Sequence, residues 1–558
     1  MSRKRLLCTV LAAALIASMV GCTTTTTAPT TSTAKATTAA TTAAATTPAA
    51  TTTAALTATK LPIVDKPLTL TYFIELDAAR VGVSHASYSE LICFQDLEKV
   101  TGVKIDFLHP PTGQAAAQLN LLISSNTLPD IAYYNWRAYP GGPDKLITDN
   151  VILKLNDSIN KLSPNLTKIF ADDPSVKKDS MTDLGNFYIY PIIQIDPLLT
   201  NNFGYLVRTD WLTAVNKKAP ETMDEWYDVL TAFRNNDPNG NGKKDELPII
   251  SRFDVTGDGA TVMDFYMAWG KFWDFYVKNN AALYGPYEPE YKDFLKTMAK
   301  WYKEGLIDPD FATTDQTQYD AKMLNNLAGV SRSGLGATAT ILKNIKNDNG
   351  VVGVANPVLK KGDKPWNVES VSRPVNGSGA AISTKSKNAE VAAKWLDYCY
   401  SKDGYMLLNY GRLGEQYTMV NGYPTLVDSI MKNPKLSVNV ALGQFAIGVT
   451  SFSFWNDGPV REQRQFSMAV QKTAAVTWST QDISGIWPNT TPSPEESAKL
   501  ASVMNEVKTF VNERTLAFIM GKADIDAEFS KYIQTLKDLG IEDAIKINNA
   551  ALARYNKR

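Results

Sequence analysis

The chain beyond residue 60 alternates between strand-like and helix-like hydrophobic patterns. β-Branched and aromatic residues dominate KPLTLTYFIEL at 66–76 and VKIDFLHP at 103–110. Between these segments, SYSELICFQDLEKVTG has a helical spacing of apolar residues and ends at Gly102. A further strand is predicted in SSNTLPDIAYYNW at 124–136. This order of strand, helix and strand predicts an α/β fold with mostly parallel sheets.

Two later segments carry the signature of a capped amphipathic helix. In APETMDEWYDVLTAFRNN, Thr222 and Glu225 have capping-box spacing, and in SPEESAKLASVMNEVKTFV the same spacing joins Ser493 and Glu496. The apolar residues that follow each cap fall on one face, which we interpret as a packing face rather than a docking surface for a partner.

Length and charge limit the possibilities. A chain of 558 residues is too long for one ordinary core and suggests about two to four domains, or two large lobes that share a hinge. Lys plus Arg equals Asp plus Glu at 57 each, so the net charge gives no sign of nucleic-acid binding. With only His85 and His109, a Ser/His triad or a His-rich zinc site has little support, and no GxSxG, HExxH or GxxxxGK motif occurs.

The amino terminus has the features of a secretion signal. Three basic residues precede an apolar run from Leu6 to Val20, which is short for a membrane span and is followed by Gly21 and Cys22. The arrangement resembles a bacterial lipoprotein signal, which implies cleavage after residue 21 and attachment of a lipid, with palmitate as an acyl chain, to Cys22. The alternative is an ordinary cleaved signal followed by an incidental cysteine.

The segment 22–60 is almost entirely Thr, Ala and Pro after its cysteine. It lacks the large apolar side chains that would offset the entropy of ordering, so we expect a disordered tether at the extracytoplasmic face of the membrane. Of the remaining cysteines in the mature chain, Cys93 and Cys399 lie on helix-like apolar patterns. We expect two buried thiols, and the sequence leaves their pairing open.

The segment DPNGNGKKDELP at 237–248 offers oxygen ligands at regular intervals. Glycine at 242 falls where an EF-hand loop must bend sharply, but position 12 of that motif is Pro248, so a carboxylate must come from the residues just before it. The exit ELPII is strand-like, which argues against a regulatory helix-loop-helix. We predict a structural Ca²⁺ site with these ligands: Asp237, Asn239, Asn241, Lys243 through its carbonyl, Asp245 and Glu246.

The alternative for this segment is a solvated Asn/Gly turn without metal. A second acidic stretch, FDVTGDGATVMD, contains Asp254, Asp258 and Asp264 but lacks the regular spacing, and we interpret it as a loop.

These motifs, together with WYKEGLIDPDF at 301–311, KNAEVAAKWLDYCYSKDG at 387–404 and the final segment from Tyr532, resemble the extracellular solute-binding proteins of family 1. The chain is particularly similar to the alginate-oligosaccharide-binding lipoproteins of that family. The resemblance covers residues 66–558 and implies a two-lobed, type II-like periplasmic-binding-protein fold with a hinge. It also implies a monomer that delivers a sugar to the transmembrane subunits of an ABC permease.

On this basis we divide the chain as follows: signal peptide 1–21, tether 22–60, first lobe 66–200 with 372–445, and second lobe 201–371 with 446–558, the second lobe carrying the calcium loop.

Candidate ligand contacts come from strand ends and from the resemblance. Ligands of open α/β sheets bind beyond the carboxyl ends of strands, which nominates Asn135 and Trp136 after the strand PDIAYY. The family's crossover segment, NNFGYLVRTDWL here, nominates Tyr205 and Arg208. Two further segments, GVSRSG and TSFSFWNDG, nominate Arg332 and Trp455. Sugars are held by aromatic faces and by planar polar groups, but each of these residues could equally pack in a core.

We therefore predict a binding protein without catalytic residues that captures an oligosaccharide for import. A surface-anchored glycoside hydrolase is the alternative, although no pair of carboxylates stands out for acid and base roles. A receptor that presents its ligand to a membrane sensor would share every binding feature.

Overall fold

The computed structural model describes residues 56, 58–253, 262–347, 349–369 and 373–558, without the side chains of Thr340 and Asn344. All of them belong to one unit, residues 55–558. The predicted signal peptide, Cys22, nearly all of the tether, and Asp254 and Asp258 lie outside the described residues. No described helix combines the length and the apolar character needed to cross a membrane.

The first part of the chain folds as the alternating pattern predicts, because each apolar-rich segment buries one side. Gly102 ends the first helix with a left-handed φ of 75° that other residues rarely adopt. The elements are β1 Leu68–Phe73, α1 Ile92–Thr101, β2 Val103–Leu108, α2 Ala115–Ser124, β3 Ile131–Asn135, α3 Gly142–Thr148, α4 Asn156–Leu162, α5 Pro164–Asp172, α6 Pro174–Asp179 and β4 Tyr190–Pro191.

The middle of the chain forms a second α/β layer. The capping box predicted at Thr222 and Glu225 is present at the start of the helix Met223–Asn235. The elements are β5 Phe203–Arg208, α7 Thr209–Ala214, α8 Met223–Asn235, β6 Leu247–Ile249, β7 Phe275–Lys278, β8 Ala281–Tyr284, α9 Tyr291–Lys303, α10 Gln316–Leu324, β9 Ala328–Gly334, α11 Leu335–Ile345 and β10 Val351–Val354.

The chain then returns to the first layer. The elements of this return are β11 Ser378–Ile382, α12 Ala389–Tyr398, α13 Lys402–Tyr410, β12 Tyr417–Val420, β13 Tyr423–Leu426, α14 Asp428–Met431, α15 Val438–Leu442 and α16 Gly458–Gln465. Helices complete the chain: α17 Ala469–Ser479, α18 Pro494–Ile519 with the predicted capping box at Ser493, α19 Ile525–Asp538 and α20 Ile541–Asn556.

Each layer contains a mixed sheet, not the mostly parallel sheet that we expected. The first has the strand order β2-β1-β3-β11-β4, in which β1 is parallel to β2 and β3, and β11 is antiparallel to both of its neighbours. The second has the order β10-β5-β9-β6, with one parallel pair. Strands β5 and β11 are antiparallel to their neighbours, and each is the first strand after the chain crosses from one layer to the other. Because no local strand-helix-strand unit precedes them in the same layer, the sequence spacing does not reveal their direction.

The two layers are two lobes with separate cores. One core joins residues before 196 to residues from Val375 to Val460, and the cores of the other lobe draw on residues from Leu199 to Val368 and from 466 onward. Phe452 and Phe454 lie in the first core, so the chain leaves that lobe after Val460 and not at the predicted residue 445. We call 192–202 and 455–466, which connect the two lobes, the crossing segments.

Helix α20 also joins the lobes. Ile541 and Ala544 near its start are buried in the second-lobe core. Close to its end, the Tyr555 hydroxyl donates to Asp179 Oδ1 at 2.5 Å, and Arg558 pairs with Asp183 of the first lobe. Both carboxylates are almost fully buried, so the end of the helix is firmly attached to the first lobe.

Cys93 and Cys399 are both buried, as the sequence pattern predicted, and neither is in a disulfide. Burial raises the pKa of the Cys93 thiol to about 12, so this thiol is protonated and unreactive at neutral pH.

Candidate functional site

A cavity of about 500 Å³ lies at the carboxyl ends of β1 and β3. These strands are parallel neighbours, so the loops that follow them meet at one edge of the sheet. The cavity is lined by backbone and side chains that include Glu75, Asp77, Arg80, Tyr133, Tyr134, Asn135, Thr450 and Ser451.

Charged groups of both signs surround this cavity. Arg80 Nη1 donates to Asp77 Oδ2 at 2.6 Å, and Glu75 Oε1 accepts the backbone N–H of Gly113 at 2.9 Å. Such a lining can both donate and accept hydrogen bonds, which is what a hydroxylated ligand requires.

A histidine supports the wall behind the cavity. The Tyr88 hydroxyl accepts the Asp77 N–H at 2.8 Å, and the Tyr88 ring packs edge-on against His109 with centroids 5.0 Å apart. His109 Nδ1 lies 2.8 Å from the Ile74 carbonyl, and its Nε2 lies 3.3 Å from the Tyr88 backbone nitrogen. A neutral ring protonated on Nδ1 satisfies both contacts, and burial lowers the pKa of His109 in agreement with that state.

The two residues nominated at the end of β3 have different surroundings. Asn135 is exposed and lines the cavity. Trp136 is 0% exposed, its Nε1–H donates to the Gly379 carbonyl at 3.0 Å, and its ring packs edge-on against Tyr134. In this structure Trp136 therefore supports the strand end and offers no ring face to a ligand.

The three nominated residues of the second lobe are buried. Tyr205 pairs in register with Arg332 across β5 and β9. Arg332 forms ion pairs with Asp264 at 3.2 Å and with Glu369 at 2.6 Å, and these contacts engage its guanidinium inside the lobe.

Arg208 lies at the other end of β5. Its Nε–H and Nη2–H groups donate to the two carboxylate oxygens of Asp210 at 2.8 and 2.6 Å, and Nη1 donates to Asn326. Each of the three guanidinium nitrogens thus has a partner, and none of these contacts joins Arg208 to the first-lobe cavity.

Trp455 lies on a crossing segment. Its backbone forms an isolated β-bridge with Ile193 of the other crossing segment. The residue as a whole is half-buried. Its ring centroid is 6.3 Å from that of Tyr405. Trp455 thus packs against the first-lobe core and remains partly exposed at the junction of the lobes.

A second cavity, of about 530 Å³, is lined by both lobes. The first lobe contributes Arg137 and the start of α3, and the second contributes Phe272, Phe275 and Trp487. The Phe275 and Trp487 rings are 5.9 Å apart. Aromatic rings at a junction between lobes suit the apolar faces of a sugar, because closure would bring both lobes against it.

The loop at 237–246 is folded around its own oxygens. It connects α8 to β6, as the strand-like exit predicted, and Gly240 and Gly242 have left-handed φ values of 69° and 74°. Asp237 accepts the backbone N–H groups of Asn241 at 3.0 Å and of Gly242 at 2.7 Å. The chain therefore curls so that Asp237 lies against the later part of the loop.

Glu246 has the features expected of a cation ligand. It is 9% exposed, and neither carboxylate oxygen has a hydrogen-bond partner in the structure. Burial raises the pKa of Glu246, and the charges of Asp237 and Asp245 raise it further. A buried carboxylate without a donor, near two other carboxylates, is stabilised by a bound cation.

No group of three or more His, Cys, Asp and Glu side chains in the described part of the chain could hold a metal ion. A cation in this loop would thus depend also on amide and carbonyl oxygens. The nominated Asn239, Asn241 and Lys243 supply such oxygens, and Ca²⁺ prefers an all-oxygen set of this kind.

Sequence reasoning missed most of the cavity lining. Glu75, Asp77 and Arg80 follow β1 just as Asn135 follows β3, so the same strand-end rule would have found them. Thr450 and Ser451 carried no such signal, because they reach the cavity through tertiary packing.

Comparison with known proteins gives a consistent result. Residues 83–406 match the family model described as bacterial extracellular solute-binding protein. The chain is 30% identical over 371 residues to the fructooligosaccharide ABC transporter substrate-binding protein FusA of Streptococcus pneumoniae, which covers 64% of this chain and 66% of that protein. It is 26% identical over 368 residues to lipoprotein LipO of Bacillus subtilis, covering 64% of this chain and 70% of that protein.

Solved structures resemble the fold over a larger share. Alginate-binding protein AlgQ2, solved without calcium ion, has a TM-score of 0.66 at 24% identity and covers 88% of this chain and 99% of its own. An EF-hand mutant of FusA in complex with fructo-nystose has a TM-score of 0.68 at 22% identity, with coverage of 88% and 99%. These likenesses establish the two-lobed fold, while the sequence matches span about two thirds of the curated relatives.

Proposed function

Because this chain belongs to the family of bacterial extracellular solute-binding proteins, we propose that it captures an oligosaccharide outside the cell and passes it unchanged to an ABC importer. The observation that carries this proposal is the cavity at the carboxyl ends of β1 and β3, with donors and acceptors along its wall and a second, aromatic-lined cavity between the lobes. The similarity of the chain to FusA, an ABC transporter substrate-binding protein, supports the same role.

In this proposal the lobes close around the sugar. A ligand that contacts both lobes binds the closed form better than the open form and shifts the population toward it. Asn135 and Trp455 are the nominated residues best placed for contact, since both have exposed surface. Tyr205, Arg208, Arg332 and Trp136 would support the lobes from inside, since all four are buried.

The test is a calorimetric titration of the purified chain with defined oligosaccharides. We expect a dissociation constant in the micromolar range or below, about −8 kcal/mol or more favourable. Replacing Trp455 by alanine should weaken binding about tenfold, because the half-buried ring would no longer stack on the sugar. Leu413→Ala, which truncates a side chain 62% exposed on the same lobe, serves as the control.

Chromatography of the sugar after incubation completes this test. Recovery of intact sugar supports a binding protein, and shorter products would indicate a glycoside hydrolase instead. Full affinity in Trp455→Ala would remove this residue from the proposed contacts.

We further propose that the loop at 237–246 binds a structural Ca²⁺ ion through the oxygens named above. The unpartnered Glu246 carboxylate supports this assignment, as do the calcium ion and the EF-hand named for AlgQ2 and FusA. The ion would supply positive charge among three carboxylates and would hold the end of α8 to β6. It lies in the second lobe and would take no part in chemistry on the ligand.

This proposal predicts that excess CaCl₂ raises the melting temperature relative to excess EGTA. At a free concentration 1,000 times the dissociation constant the gain is about 4 kcal/mol of unfolding free energy. Asp237→Ala and Glu246→Gln should each abolish most of the difference. Asp228→Asn on α8, whose side chain is 60% exposed and pairs with Lys217, should retain it. Equal melting of the unmodified protein in both solutions would refute the site.

Finally, we propose that the chain is a monomeric lipoprotein held at the outer face of the cell membrane by a lipid on Cys22. The signal-like amino terminus supports this, and LipO is named a lipoprotein. Metabolic labelling with palmitate should mark the intact protein and not Cys22→Ala.

A further inference from the structure

One imidazole ring holds two residues of the wall of the first-lobe cavity. His109 directly follows β2, the strand beside β1 in the sheet. Its Nδ1 lies 2.8 Å from the Ile74 carbonyl, and its Nε2 lies 3.3 Å from the Tyr88 backbone nitrogen and 3.2 Å from Ser87 Oγ. Ile74 and Tyr88 both line the cavity. The protonation state of this ring therefore bears directly on the wall.

Tyr88 extends this support to the loop after β1. Its hydroxyl donates to the Glu75 carbonyl at 3.1 Å and accepts the Asp77 N–H at 2.8 Å. Tyr88 is 1% exposed and its ring packs against the imidazole, so it has little room to move independently. Glu75 and Asp77 also line the cavity. The segment from Ile74 to Asp77 is thus held at three points, one directly by His109 and two through Tyr88.

A second proton on the ring is incompatible with this arrangement. The neutral ring, with its proton on Nδ1, donates to Ile74 and accepts from Tyr88, whose backbone N–H can only donate. A proton on Nε2 would point at that N–H group, so the contact would break. Turning the ring toward Ser87 Oγ, which caps the 3₁₀ turn Tyr88–Glu90, would still leave the Tyr88 N–H without its acceptor.

No nearby carboxylate compensates for the positive charge of a protonated ring. The ring contacts the end of β1, the 3₁₀ turn and β2. Besides Tyr88, the charged residues of these elements and of the loop after β1 are Glu75, Asp77, Arg80, Glu90, Lys104 and Asp106. Among the residues that the structure describes, none of these groups forms an ion pair with His109. Asp77 is paired with Arg80, and Glu75 accepts the Gly113 N–H.

We propose that His109 makes sugar capture by the first-lobe cavity sensitive to pH: the neutral ring holds the wall in the form that binds, and the protonated ring releases it. This inference rests on the proposed function and names a regulation of the same site. His109 is a positioning residue that acts through Ile74 and Tyr88 and need not touch the sugar. Because the sugar and the proton favour opposite states of the wall, each must weaken the binding of the other by the same free energy.

Calorimetric titrations at several pH values test this coupling. The probes are maltotriose, cellotriose and kestose, and the one that binds best is titrated between about pH 7.5 and pH 5. We expect its dissociation constant to rise by about threefold or more over this range, and by no more than about tenfold per pH unit, which is the limit for one proton. In His109→Gln, which takes up no proton, the dissociation constant should not change with pH. His85→Gln is the matched control and should keep the pH dependence, since His85 contacts only the hydroxyl of neighbouring Ser84.

Magnetic resonance of the imidazole signals gives a second readout. The chain has only two histidines, so the signal of His109 can be assigned by comparison with His85→Gln. Burial lowers the pKa of His109 in the free protein, and saturation with the sugar should lower it further. A purely structural histidine would titrate at the same pH with and without the sugar.

Thermal unfolding without ligand tests the effect of the proton on the wall itself. The pKa of His109 is lower in the folded protein than the unfolded value of about 6.5, so the unfolded chain binds more protons in this range. The stability that the neutral ring contributes is present above about pH 6.5 and is lost as the pH falls toward the lower folded pKa. The melting temperature of the unmodified protein should therefore fall more between about pH 7 and pH 5 than that of His109→Gln.

Three outcomes would overturn the inference. If the sugar binds with the same affinity at every pH, the proposed function stands and the regulation fails. If His109→Gln keeps the pH dependence, the titrating group is another one, such as the carboxyl of Glu75 or Asp77. If no sugar binds at any pH, the proposed function fails first, and its regulation fails with it.

Discussion

Arg332→Met should lower the free energy of unfolding by about 3–5 kcal/mol, one of the two largest losses we expect from a single substitution. The substitution removes the cation between Asp264, which is 0% exposed, and Glu369, which is 7% exposed. Both carboxylates would then lose the guanidinium that pairs with them inside the lobe. Urea titration followed by tryptophan fluorescence measures the loss.

A matched comparison separates the buried ion pairs from the loss of an arginine as such. Arg514→Met breaks a pair with Glu528 in which the side chains are 27% and 40% exposed, and should cost at most about 1 kcal/mol. The triple variant Asp264→Asn, Arg332→Met, Glu369→Gln should recover much of the stability, since it removes the buried charges together. A loss below about 1 kcal/mol for Arg332→Met alone would contradict this account, and a selective loss of sugar affinity would return Arg332 to the ligand contacts.

Trp136→Ala should cost about 3–5 kcal/mol, because the ring is wholly buried and its removal leaves a large cavity behind the end of β3. The loss should appear as a lower midpoint in urea with an unchanged slope, as expected for a change in stability alone. The same substitution should disturb the cavity indirectly, since Asn135 precedes it in the chain and lines that cavity.

Trp136→Phe is the control for this prediction. It keeps most of the buried volume and loses the hydrogen bond to the Gly379 carbonyl, so we expect a smaller loss of about 1–2 kcal/mol and full sugar affinity. If Trp136→Phe is as stable as the unmodified protein but binds sugar poorly, the indole ring contacts the ligand and does not act only as a buried support for the end of β3.

The local features of the fold could be predicted because they depend on neighbouring residues. The helix that ends at Gly102, the caps at Thr222 and Ser493, and the first three strands all follow from spacing and composition within a short segment. The direction of β11 and the point where the chain leaves the first lobe depend on partners far away in sequence. No local pattern carries that information, and those predictions differ from the structure.

The same distinction explains the candidate site. Tyr205 and Arg332 lie on strands that are buried on both faces. In such strands apolar and polar residues do not alternate, so the sequence cannot show whether a side chain faces the cleft or the core. Asn135 was predictable because it follows a strand directly.

The attachment of α20 to both lobes has a mechanical consequence. Arg554 and Arg558 both pair with the nearly buried Asp183, so a rotation that pulled the end of α20 away would strip this carboxylate of both cations. We therefore expect the end of this helix to stay attached to the first lobe in any opening movement. Separation of the lobes should therefore be smallest near this attachment and larger at residues farther from it. We expect a fluorophore placed near Asp183 to report less of that separation than one placed near Arg80.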